Sequence, residues 1–165
     1  MKLVLDASVI IAFFRELDDG EFLCALAKKG FEICVTDGVI AEVKKEPELS
    51  RLRQALHEGW IRSKSVEKHE FDKFKNKYPM LDYAEVEVLL CCLSLKSNNE
   101  EYYCILDEGA GRKIADSLSL TKKGTLGLLV VLNDNKIIDA QCKEKLLSKL
   151  EQSTFRFRKH NQGST

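Results

Sequence analysis

The segment Lys2–Phe14, K-L-V-L-D-A-S-V-I-I-A-F-F, allows few folds. Leu3, Val4 and Leu5 form a short apolar run, Asp6 follows, and after the small residues Ala7 and Ser8 an unbroken apolar block runs from Val9 to Phe14. Apolar residues in succession, rather than in alternation, suit a central strand buried on both faces, followed by a tight turn and a buried helix. Asp6 then stands at the C-terminal end of that strand, where the ligand crevice of an open parallel sheet lies. A charge between two buried segments needs a partner there.

The rest of the chain alternates in the same manner. Phe31–Val35, Trp60–Val66, Tyr102–Leu106 and the short Leu120–Lys122 read as further strands. After a polar connection from Arg15 to Gly20, helices are expected over Glu21–Lys29 with Gly30 beyond its end, then from the Thr36-Asp37-Gly38 cap through Val43, and from Pro47 to Gly59. Four more are expected over His69–Tyr78, Leu81–Leu95, Gly109–Leu118 and Thr125–Leu132. A last one starts at the Asp139 cap, with Cys142, Leu146, Leu147 and Leu150 inward. Asp82 and Glu85 have capping-box spacing, and Leu81 and Val86 that of a hydrophobic staple. Phe155–Arg158 alternates like an edge strand. With no repeat or linker, residues 1–159 are expected to form one α/β domain with a mainly parallel sheet, and 160–165 a disordered tail.

Charge narrows the function classes. The 26 basic and 26 acidic residues cancel, so a nucleic-acid site would have to come from local clustering or from metal ions that neutralise phosphate. No apolar run reaches the roughly 18–20 residues that cross a bilayer. The N-terminus enters a strand with no signal-peptide pattern, and the expected location is cytoplasmic. The six cysteines, Cys24, Cys34, Cys91, Cys92, Cys104 and Cys142, show no C-x-x-C spacing and lie in apolar segments. They read as small buried hydrophobes in a reducing compartment rather than as zinc ligands or disulfides.

Two strands end in carboxylates: Asp6 after the first, and Asp107-Glu108 after the fourth. Glu42 flanks the Val39/Ile40/Val43 stripe, and Glu85 lies in the first turn of the Leu81–Leu95 helix. Like charges 4 Å apart repel by about 1 kcal/mol in water and about 4 kcal/mol at the effective dielectric near a protein surface. Acids that converge therefore keep protons through raised pKa values or bind a cation. Oxygen-only ligands with no nearby histidine suit Mg²⁺ or Mn²⁺ rather than zinc. Such ions activate water and stabilise both oxygens in phosphodiester cleavage. Each acid also has a plainer reading. Glu85 and Asp82 can be a capping box and nothing more, Glu42 can pair with Lys44 or Lys45, and Asp107 can start a turn with Glu108 at the positive end of the next helix.

Four stretches together resemble a PIN-domain nuclease: L-D-A-S-V-I-I-A at 5–12, V-T-D-G-V-I-A-E-V at 35–43, L-D-Y-A-E-V-E-V-L-L at 81–90, and I-L-D-E-G-A-G-R-K-I-A at 105–115, continuing to G-T-L-G-L-L at 124–129. The likeness is to the compact prokaryotic VapC-like toxin branch, with the C-terminal pattern of DUF3368-type members. It implies a three-layer α/β/α domain with a mainly parallel five-stranded sheet, an acidic pocket holding Mg²⁺ or Mn²⁺, and cleavage of single-stranded or structured RNA, often as the toxin of a toxin–antitoxin pair. A small antitoxin protein and a homodimer are the partners it implies. By position the first acid is Asp6, the second Glu42 and the third Glu85, with Ser8 as the hydroxyl neighbour of the first. The branch has two consecutive aspartates at the fourth position and then a basic residue; this chain has Asp107, Glu108 and Gly109, and both acids are kept as metal candidates with Asp107 favoured. Glu87 lies roughly 200° around the helix from Glu85, so the two cannot share a ligand directly.

Arg112, Lys113, Lys122 and Lys123, and the lysines of the Lys73–Lys77 helix, are candidates for meeting phosphate or supporting the site. Gly109-Ala110-Gly111 looks like part of a dinucleotide fingerprint, but Ile114 fills the third glycine's place and an acid pair precedes the motif. A haloacid-type phosphatase needs an aspartate where Ser8 stands. The remaining rival to a ribonuclease is a non-catalytic PIN-like scaffold that binds RNA or protein.

Overall fold

The computed structural model describes residues 1–107 and 109–153. β1 (Lys2–Leu5) is the centre of the sheet, with Leu3, Val4 and Leu5 fully buried. It pairs in parallel with β2 (Glu32–Thr36) on one side and β4 (Tyr102–Ile105) on the other, with Leu3 opposite both Ile33 and Tyr103. β3 (Ile61–Lys64) pairs with β2, and β5 (Lys122–Lys123) with β4, again in parallel. The order is β3-β2-β1-β4-β5, so all five strands run the same way. Two-sided burial explains why β1 lacks the alternation of a half-exposed strand.

This order fixes where a ligand can go. From β1 the chain moves outward through β2 to β3, then returns to the other side of β1 to make β4. The crevice between β1 and β4 is thus a topological switch point, open at the C-terminal ends of those strands. Asp6 and Asp107 stand one and two residues beyond them.

Helices flank the sheet as a three-layer α/β/α domain. α1 (Ala7–Ile11) follows β1 directly and continues as a π-helical turn over Ala12–Glu16, so the expected polar connection starts later than Arg15. Arg15 is held in that turn by Glu16 (3.0 Å) and by the buried Glu48 (3.1 Å). α2 (Glu21–Lys28), α3 (Asp37–Glu42) and α4 (Glu48–Glu58) follow, α3 capped by the Thr36 hydroxyl and α4 closed by Gly59 at φ +78°. α5 (Lys68–Lys77) leads to α6 (Tyr83–Ser97), whose N-terminus carries the complete Asp82/Glu85 capping box. α7 (Ala110–Ser117), α8 (Thr125–Asp134) and α9 (Ala140–Gln152) complete the described chain, α9 capped by Asp139.

Two strands differ from expectation. β3 is shorter than Trp60–Val66, and among the described residues it pairs with β2 alone. β5 is two residues set later than Leu120–Lys122, where Thr121 and Lys123 accept from the amides of Cys104 and Leu106. The expected edge strand at Phe155–Arg158 and the tail at 160–165 lie outside the described residues. All six cysteines are free, and Cys34, Cys91, Cys92 and Cys104 are buried. Burial pushes the Cys34 thiol up to about 12 and Cys91 to about 11, so both stay protonated and inert. Among the described residues no helix is long and apolar enough to cross a membrane.

Candidate functional site

Asp6 takes the N-cap position of α1 in an extended conformation (φ −79°, ψ 163°), and its amide continues the β1–β4 ladder to the Ile105 carbonyl at 3.1 Å. Its carboxylate makes no capping bond to the second or third amide of the helix. Instead Oδ2 accepts from the Ser8 hydroxyl at 3.0 Å. Loss of hydration raises its pKa to about 7, against the bonds from Ser8 and the Ala7 amide; the charges of Glu42 and Asp82 push the same way as burial. The Ser8 hydroxyl also lies 3.4 Å from Asp107 Oδ2. One proton cannot serve two acceptors fully, so Ser8 is shared across the switch point by the two strand-end acids.

Asp107 is the more firmly held of the two. The Thr125 amide donates to its Oδ1 and the Thr125 hydroxyl to its Oδ2, both at 2.6 Å. Thr125 is the first residue of α8 and is fully buried, so Asp107 ties the end of β4 to the start of α8. Burial raises the pKa of Asp107, while Thr125, Ser8 and the Arg112 charge oppose the rise. Arg112 donates to the Leu106 carbonyl at 2.6 Å and so braces the same strand end.

Glu85 has two tasks. Its Oε2 closes the capping box on the Asp82 amide at 3.0 Å, and its Oε1 accepts from the Gly111 amide at 3.0 Å. The two glycines at the start of α7, Gly109 as its N-cap and Gly111 in its first turn, thereby acquire a reason. A Cβ on Gly111 would meet Glu85 Oε1 at 2.7 Å, and Gly109, at φ +89°, turns the chain into α7 in a region side chains disfavour. They make room for a carboxylate rather than a pyrophosphate. Burial raises the Glu85 pKa, as does the Asp82 charge, against the Asp82 and Gly111 amides and Lys75.

Glu42, the last residue of α3, is exposed, and its pKa is also raised, by desolvation and by the charges of Asp82 and Glu85. Lys44 opposes that shift. Asp6, Glu42, Asp82 and Glu85 thus feel one another, and Ser8 links Asp6 to Asp107. Glu108 lies outside the described residues. Among those described, no three His, Cys, Asp or Glu side chains stand close enough to hold one ion as they lie. The donors are all carboxylate oxygens, the chemistry of Mg²⁺ or Mn²⁺, and a cation would relieve the raised pKa values of Asp6, Glu42, Glu85 and Asp107.

The sequence reading did not anticipate the roles of Thr125 and Glu87. Thr125 follows Gly124 in the G-T-L-G-L-L stretch, and a hydroxyl opening an otherwise apolar helix was the available signal. Glu87 is buried and turns away from the pocket, where Oε2 accepts from the Gly38 amide at 2.6 Å and joins α6 to α3. The candidate cations are mostly engaged elsewhere. Lys122 pairs with Asp116, Lys123 lies 4.6 Å over the Tyr103 ring, and Lys75 donates to the carbonyls of Pro79 (3.0 Å) and Leu81.

Comparison with curated proteins and with solved structures finds no match for the chain. The DUF3368 family, described as a PIN domain, matches residues 2–162. That match takes in every strand of the parallel sheet and every acid gathered at its open end; this chain belongs to the PIN-domain family, whose members are generally nucleases.

Proposed function

We propose that the protein is a metal-dependent ribonuclease that hydrolyses RNA phosphodiester bonds at the pocket of Asp6, Glu42, Glu85 and Asp107, with Glu108 as a further candidate ligand. The observation that supports this best is the pairing of Asp6 and Asp107 across the switch point through one hydroxyl, Ser8. Bound among these oxygens, Mg²⁺ or Mn²⁺ supplies an activated water and stabilises charge on the attacking and leaving oxygens. The chain's own residues prepare the pocket. Thr125 holds both oxygens of Asp107, Gly111 aims Glu85, and Ser8 orients Asp6. Arg112 acts from behind Asp107 as a positioning residue, since its guanidinium is bonded to the Leu106 carbonyl.

The physiological role that goes with this reading is that of a cytoplasmic toxin, restrained by a small antitoxin protein and acting as a homodimer. Co-purification of a small partner from the native host tests that role separately from the chemistry.

A non-catalytic RNA- or protein-binding scaffold is the second reading. It is favoured by the absence, among the described residues, of three ligands within reach of one ion, and by the engagement of both Asp107 oxygens with Thr125. Thermal melting and RNA cleavage decide between the two. The nuclease reading expects Mn²⁺ to raise the melting temperature by several degrees in wild type but not in Asp6→Asn. It also expects cleavage that stops with EDTA and in that variant. No metal-linked shift and no cleavage would overturn the nuclease reading and favour the scaffold.

A further inference from the structure

Among the described residues the two most exposed large apolar side chains are Met80 (63% exposed) and Tyr83 (60%), and they stand on either side of Asp82, the N-cap of α6 whose charge reaches Asp6, Glu42 and Glu85. The Tyr83 ring is not loose. It rests on Phe71 of α5, with ring centroids 4.3 Å apart and planes 34° from parallel. Its Cδ1 also lies 2.9 Å from the point a Cβ on Gly38 would occupy, so one edge is seated against the backbone of α3. Lys75 bonds to the carbonyls of Pro79 and Leu81 and thereby fixes the turn that carries Met80. Lys73 and Lys77, on the same helix as Phe71, are exposed.

A cluster of carboxylates repels the phosphates of a nucleic acid, so a strand drawn to this pocket needs a hold beside it that is not purely electrostatic. An aromatic face supplies one. Base–aromatic stacking is indifferent to sequence and insensitive to the acids nearby, and a ring already held by packing loses little freedom on binding. Only an unpaired base offers its face, because in a duplex both faces are stacked.

We propose that Tyr83, backed by Phe71, is a stacking platform for an unpaired base of a single-stranded nucleic acid whose backbone passes the acidic pocket. This assignment rests on the nuclease reading and adds a base-binding residue beside the acids.

Fluorescence anisotropy tests it with labelled single-stranded RNA and DNA, a duplex of the same sequence, and a single strand of abasic residues. Ca²⁺ is included to offset the pocket's charge, and cleavage is scored in parallel with Mn²⁺. Tyr83→Leu, which keeps apolar packing on Phe71, is expected to weaken single-strand binding by about 5- to 150-fold while leaving abasic-strand binding unchanged. Tyr83→Trp is expected to restore it, and RNA and DNA single strands are expected to lose affinity alike in Tyr83→Leu. If wild type binds and cleaves, and Tyr83→Leu binds single strands equally well or loses abasic-strand affinity in the same proportion, the platform is overturned and the patch faces a protein instead. If wild type neither binds nor cleaves any strand, the nuclease reading falls and the platform with it.

Discussion

The amide of Gly111 donates to Glu85 Oε1 at 3.0 Å, and the hydrogen in place of its side chain leaves the space that this carboxylate fills. Gly111→Ala would set a Cβ 2.7 Å from Oε1 and force Glu85 aside. Gly111 lies inside α7, where alanine is the better helix former by about 1 kcal/mol. That gain offsets part of the loss of the Gly111 and Asp82 bonds to Glu85, so the variant is expected to remain folded yet lose RNA cleavage by about 100-fold, the scale of an ångström's misplacement at a reacting centre. Wild-type activity in this variant would show that the position of Glu85 is immaterial to the chemistry.

Asp6 links the pocket to pH. Its carboxyl titrates near 7 in the fold, above the roughly 3.9 of an unfolded chain. Between those values the folded protein keeps a proton that the unfolded chain has released. The stability this proton contributes is complete below about pH 4 and is lost as pH rises through 7. Asp6→Asn cannot ionise, so in metal-free buffer it is expected to exceed wild type by about 1–3 kcal/mol at pH 8 and to match it at pH 4. Urea denaturation at the two pH values measures this. A difference that does not change with pH would mean that Asp6 does not titrate in this window.

Thr125 is expected to be structural as well as positioning. Thr125→Val keeps the shape and the amide bond but removes the hydroxyl from Asp107 Oδ2. A hydrogen bond to a charged group is worth about 1.5–3 kcal/mol, and a loss of that size is expected in denaturant titration. Thr125→Ser, which retains the hydroxyl, should recover most of it. No loss in Thr125→Val would show that the hydroxyl bond to Asp107 contributes nothing to stability.

Gly38 lets α3 and α6 approach closely. A Cβ there would meet Glu87 Oε2 and Tyr83 Cδ1 at 2.9 Å and the Ala84 Cα at 3.1 Å, the last of which cannot swing away. Gly38→Ala is expected to destabilise by about 1–3 kcal/mol through overpacking, seen as a lower midpoint in thermal melting. A midpoint at or above that of wild type would show that the helices separate without cost.

Much of this protein was legible before any coordinates. The unbroken apolar run of Leu3–Leu5 can be satisfied only by two-sided burial, and that places β1 at the centre and Asp6 at a strand end. The Asp82/Glu85 spacing specified a helix start, because capping is a local matter between residues three apart. The order of the acids along the chain likewise pointed to the family. The partners of those acids were not legible. Thr125 reaches Asp107, Gly111 reaches Glu85 and Gly38 reaches Glu87 across sequence separations that no periodicity encodes. Strand order decided these pairings, since it is the return of β4 to the far side of β1 that brings Asp107 to Ser8. Sequence determines what each segment must bury and where it must stop. Which polar groups then meet depends on how the buried faces stack, and only the tertiary structure settles that.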